Sequence, residues 1–218
     1  MDDQILWEYL EELPEQETAW NEWCRRLSGW HCFNTFYTHY LRVENKRAGL
    51  LECATPCGHG CQRRVVENSP SDISTICPLD KSAPIQLKFR DILIYSLRRE
   101  AFHQSLCLSL KIEQLPENKW PECGNAWYLG NYSSTTVYLT YRTAAATLTE
   151  TINLLCQLCR KPFVLMTPTG HGLVPEAQQL LAGNDSVLLS MAVELRLQPD
   201  GLFKPLRGIP ECLPFEQS

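Results

Sequence analysis

Nine residues of this chain hold three thiols and an imidazole: Cys53-Ala-Thr-Pro-Cys57-Gly-His59-Gly-Cys61. A fourth thiol, Cys77, follows sixteen positions later. Zinc takes thiolate and imidazole donors, four in a tetrahedron, and a site closed by four protein ligands is structural rather than catalytic. Cys57, Cys61 and Cys77 form the expected ligand set, with Cys53 ahead of His59 for the fourth position. Glycines at 58 and 60 free the backbone to turn the donors toward one ion. Four thiolates equally suit an iron–sulfur cluster, so Zn2+ leads and an iron–sulfur centre stays open as the alternative.

A second constellation lies at Phe163-Val-Leu-Met-Thr167-Pro-Thr169-Gly170-His171-Gly172. An apolar strand runs into hydroxyls, a glycine–histidine–glycine turn and a helix beginning near Pro175. Ligands of α/β layers bind in the crevice at the carboxyl ends of strands. Thr167, Thr169, Gly170 and His171 are therefore candidates to hold an anion, with His171 as acid or base of an enzyme acting on a phosphate-bearing substrate. A plain strand-to-helix connection explains the same residues and weighs more. No Gly-Lys-Ser/Thr and no Gly-x-Gly-x-x-Gly is present, which excludes the common phosphate and dinucleotide loops.

Two arginine pairs, Arg63-Arg64 and Arg98-Arg99, are the candidate nucleic-acid contacts, while a solvated edge or pairing with Glu67 and Asp72 explains them as well and weighs more. Adjacent residues on a strand face opposite ways, so only one of Arg63 and Arg64 can meet a ligand from that strand. Cys156-x2-Cys159 falls late in a helix, one thiol on its apolar stripe, where core packing outweighs redox chemistry. No serine, histidine and carboxylate set stands out for nucleophilic catalysis, and no carboxylate pair does so for acid–base work.

The elements that must position these groups follow from periodicity. Ile5, Leu6, Tyr9, Leu10 and Leu13 mark a helix over 4–13 with glutamates on its other face, and a second helix starts near Thr18 and ends at Gly29. The first of these docks on its own core or on a partner, the former being favoured. Around the knuckle, residues 63–67 and 73–76 read as two strands joined by a turn. Residues 85–110 read as two helices, which raises a weak helix-turn-helix reading. After a proline-bearing linker at 115–124, strands at 127–129, 137–141, 163–166 and 187–189 alternate with helices over 144–159 and 175–181. That order implies a layer with parallel pairing.

The expected fold is α+β: a helical region over 1–114 carrying a zinc-ribbon-like knuckle at about 50–80, then a small α/β domain over 125–218. Of 218 residues, 44 % are hydrophobic, enough for a core. Charge is uneven. Residues 1–22 hold eight acids and no Lys or Arg, whereas 23–114 hold thirteen basic and eight acidic residues. No apolar run reaches the length of a membrane span, and the opening Met1-Asp2-Asp3 is opposite in charge to a secretion signal, so a cytoplasmic protein is expected. In that reducing setting eleven cysteines favour metal ligation over disulfides. Cys24, Cys32, Cys107, Cys123, Cys156, Cys159 and Cys212 are expected as small buried side chains. The reading that results is a non-catalytic accessory or regulatory protein with a structural metal, binding a protein or nucleic-acid partner.

Overall fold

The computed structural model describes residues 3–53, 61–79, 84–114, 122–207 and 209. Helix and sheet mix along the chain, as an α+β protein requires, in two compact units. One is Leu13–Arg98; the other joins Met1–Glu12 to Arg99–Ser218. The divisions fall at 12/13 and 98/99 rather than within the expected linker.

Helix α1 (Gln4–Glu12) belongs to the second of these units and buries Leu6, Trp7, Tyr9 and Leu10. Its apolar stripe is thus spent on its own core, the favoured of the two readings.

The Leu13–Arg98 unit is only partly the helical region expected. Strand β1 (Glu17–Ala19) precedes α2 (Trp20–Leu27), and α3 (Phe33–Tyr40) leads directly into β2 (Leu41–Arg47). Three short antiparallel strands follow, β3 (Leu50–Glu52), β4 (Gln62–Ser69) and β5 (Asp72–Ile76), and then β6 (Ile85–Leu87) and β7 (Leu93–Leu97). They form two antiparallel sheets, ordered β1-β7-β2 and β3-β4-β5-β6. The β4–β5 hairpin agrees with the strands read at 63–67 and 73–76.

Residues 85–97 depart from the helix expected there. They form β6, a 3-10 turn over Phe89–Ile92 and β7. β7 is the central strand of its sheet and opens on the unalternating run Leu93-Ile94-Tyr95, which cannot be told from a helix by period alone. The helix-turn-helix reading falls with it, since a strand precedes the helix at Arg99. Trp23 anchors α2 on this strand: fully buried, it donates its indole N–H to the Tyr95 carbonyl at 3.1 Å.

After α1, the remaining unit resumes with α4 (Arg99–Leu110) and continues through β8 (Glu122–Cys123), β9 (Ala126–Tyr132) and β10 (Thr135–Leu139). Then come α5 (Ala145–Leu158), β11 (Phe163–Thr167), α6 (Pro175–Gly183) and β12 (Val187–Ser190). A short helix α7 (Met191–Glu194) leads to the hairpin β13 (Leu195–Leu197) and β14 (Phe203–Pro205). The sheet runs β12-β11-β10-β9-β8, with β10, β11 and β12 parallel and β8–β9–β10 antiparallel. This is the alternating layer expected. Leu148, Ile152 and Leu155 of α5 and Ala177 and Leu181 of α6 pack with Phe163 and Leu165 of β11. Every residue of β11 is buried, as a central parallel strand requires.

Candidate metal centre

Sheet register builds the thiol site. In the β3–β4 ladder Glu52 faces Gln62 and Leu51 faces Arg63. The Cys53 amide donates to the Cys61 carbonyl at 3.0 Å, extending the ladder by one pair. In the β4–β5 ladder Arg64 faces Ile76, so Cys77 lies one step on, beside Arg63. Side chains alternate along a strand and directly opposed residues share a face. Cys53, Cys61 and Cys77 therefore fall on one side of the sheet, together with Leu51 and Arg63.

The side chains meet accordingly. The ligand atoms of the three cysteines lie within 4.8 Å of one another, and the Cys61 and Cys77 sulfurs are 3.3 Å apart. Cys77 is buried and the other two are half-buried. Zinc holds thiolate sulfur at about 2.3 Å, which spaces sulfurs by about 3.8 Å, so closing on an ion needs only small side-chain movement. Donors of this softness suit zinc or an iron–sulfur centre rather than magnesium or calcium. Cys57 and His59 lie outside the described residues.

The scaffold under Cys53 is anchored by charge. Glu22 of α2, 5 % exposed, accepts the Glu52 backbone N–H at 2.9 Å and the Arg25 Nε–H at 2.9 Å. Arg25 also pairs with Glu52.

The arginines divide. Arg63 is 2 % exposed, with its guanidinium 3.9 Å from the Cys53 sulfur and 3.4 Å from the Thr75 carbonyl. Burial removes it from the nucleic-acid contacts expected of it. Arg64 and Arg98 are exposed, while Arg99 is half-buried over the Trp127 ring, 5.3 Å from its centroid.

The second expected site holds a different chemistry. Thr167 is fully buried and donates its hydroxyl to the Thr169 carbonyl at 2.6 Å. The Thr169 hydroxyl goes to the carboxylate of Glu11, which also accepts from Thr143, and the His171 amide donates to the Thr169 hydroxyl at 3.3 Å. His171 is exposed and Gly170 half-buried. Glu8, Glu11, Glu12 and His171 line a cleft of about 540 Å³ together with Thr143, Gly172, Ala144 and the first residue of α5, Ala145. Gly172 permits the two strand-end loops to close, since a Cβ there would lie 1.6 Å from the Thr143 carbonyl oxygen. The sequence placed Thr167 and Thr169 at the strand end but carried no sign of Glu11, 158 residues from Thr169 along the chain. Three carboxylates make this a poor host for phosphate.

Of the other cysteines, Cys32 and Cys107 are buried as expected, Cys24, Cys123, Cys156 and Cys159 are half-buried, and Cys212 lies outside the described residues. Burial pushes the Cys156 thiol up, the reverse of what a redox-active pair needs. Among the described residues no helix is long and apolar enough to cross a membrane. The chain matches no protein-family model, no curated protein and no solved structure.

Proposed function

We propose that this is a non-catalytic accessory or regulatory protein in which Cys53, Cys61 and Cys77 hold a structural Zn2+ ion. The observation that carries the reading is the convergence of three thiols from three strand ends on one face of a single sheet. An ion there ties β3, β4 and β5 together where hydrogen-bonded pairing stops. Of the four thiols expected from the sequence the remaining ligand is Cys57, with His59 the alternative that the sequence offered to Cys53.

Partner binding belongs to the opposite face. Leu50, Arg64 and Ile76 form one cross-strand row, and the two apolar members are 54 % and 45 % exposed. One cation between two apolar side chains favours a protein partner over nucleic acid, whose phosphates call for several cations in line. An enzyme acting on a phosphate-bearing substrate at Thr167–His171 has less support, because Glu11 already takes the Thr169 hydroxyl.

Elemental analysis with an absorption spectrum tests the metal reading on wild type and on a Cys61→Ser/Cys77→Ser variant. One equivalent of zinc in a colourless wild type, absent from the variant, is the expected result. Iron with visible absorption replaces zinc by the iron–sulfur alternative; no metal in either protein overturns the reading.

A further inference from the structure

We infer that Arg63 is the resident counter-cation of the thiol site, a positioning residue that makes Cys53, Cys61 and Cys77 a site for a divalent thiophilic ion held as an anionic thiolate complex. The inference rests on the metal reading above and adds to it the charge state of the site.

A guanidinium shares the thiol-bearing face of the sheet. Arg63 is 2 % exposed, projects from the thiol-bearing face of β4, and brings one terminal nitrogen to 3.9 Å from the Cys53 sulfur. When a divalent ion binds, three thiols release three protons and the set of three thiolates and one M2+ carries a single negative charge. Arg63 then neutralises the cluster. A fourth thiolate would raise the charge by one and strengthen the demand for a cation.

Geometry adds direction to the charge. The second terminal nitrogen lies 3.4 Å from the Thr75 carbonyl, two residues before Cys77, so the guanidinium is tied to β5 while it faces the sulfur held at the end of β3. One side chain thus links the strands that bring two of the ligands. Groups hydrogen-bonded to metal ligands orient them and tune their basicity, and losing one costs roughly 10- to 100-fold in metal affinity.

The test loads the full chain with Co2+ and Zn2+ and measures affinity by competition with a chromogenic chelator. The proteins are wild type, Arg63→Gln, Arg63→Lys and Leu51→Ala. Arg63→Gln should bind zinc roughly 10- to 100-fold more weakly at unchanged stoichiometry. Arg63→Lys should recover most of that loss. Leu51→Ala loosens the same face without changing charge and should keep its affinity in the folded protein. Wild-type affinity in Arg63→Gln, or equal losses in the Gln and Lys variants, overturns the counter-cation role. If wild type takes no metal, the reading beneath it fails instead. Should Arg63→Gln not fold, Arg63→Lys decides alone: zinc affinity close to wild type is expected of the retained charge, and a loss of roughly 10- to 100-fold in the folded Lys variant overturns the inference.

Discussion

The thiol face of β3–β5 and the strand-end cleft beyond β10 and β11 both gather polar side chains from distant parts of the chain, by different rules. In the antiparallel sheet, alternation and register do the work: once Glu52 faces Gln62 and Arg64 faces Ile76, the three cysteines share a face. In the parallel layer, the loops after the strands do it, bringing Thr143 and Thr169 together above the sheet. The charges are opposite too. The first region sets a cation among soft donors, the second a carboxylate among hydroxyls at the start of α5. The first could hold a positive ion. In the second, Glu11 stands where an external anion would bind, a favourable place for a carboxylate next to a helix N-terminus.

The sharpest way to break the comparison is to empty the first site. Cys61→Ser/Cys77→Ser, or a strong chelator on wild type, should unlock β3–β5 and cost several kcal/mol, since binding energy at a structural zinc site is about 10 kcal/mol or more and appears as folding energy. Amide exchange should show protection lost in those strands and retained in β10–β12. Equal loss in both sheets would mean that the thiols support the whole fold rather than one sheet. The reciprocal experiment is Leu165→Ala in the fully buried β11, which should cost about 2–5 kcal/mol in denaturant unfolding while metal content stays the same.

These two regions also differ in how far the residues alone disclosed them. Cysteine spacing marked Cys53, Cys61 and Cys77, because thiols clustered in sequence on strands of a short hairpin have few places to go. The β10–α5–β11–α6–β12 alternation was equally open, since Leu148, Ile152 and Leu155 keep helical spacing and β11 is a bare apolar run. Arg63 was misread. A charged residue on a strand reads as solvated, and only the register showed it on the inward face with Leu51. Residues 85–97 failed for the same class of reason: Phe89, Ile92, Leu93 and Leu97 satisfy a helical period, yet pairing of β7 on both edges decided for strand. Glu11 could not be found at all, since nothing local ties α1 to a loop after β11.

Removing the carboxylate sharpens the second half of the comparison. Glu11→Ala leaves the Thr143 and Thr169 hydroxyls, both buried, without their acceptor and should cost about 1–3 kcal/mol. The same variant should gain thermal stability in added phosphate or sulfate, which wild type should not. If anions stabilise both proteins alike, the strand-end cleft is not governed by Glu11.

The smallest expected effect is an acid sensitivity that belongs to the α4 unit alone. His103 is 1 % exposed, with its Nε2 3.3 Å from the Tyr141 hydroxyl, and burial, helped by the nearby Arg99, depresses its pKa to about 3. The unfolded chain takes up a proton near the ordinary value of 6.5, while the folded ring stays neutral down to about 3. Unfolding therefore binds a proton across that window, and stability falls as pH drops through it. Between pH 7 and pH 5.5 the loss should be about 1 kcal/mol, and His103→Gln should lack it. Thiolate protonation also weakens a metal site in acid, so the two proteins are compared in the Cys61→Ser/Cys77→Ser background. There the difference in denaturant midpoint between the two pH values reports His103 alone. Parallel acid limbs with and without the histidine would mean that its ring is hydrated or charged in the folded protein.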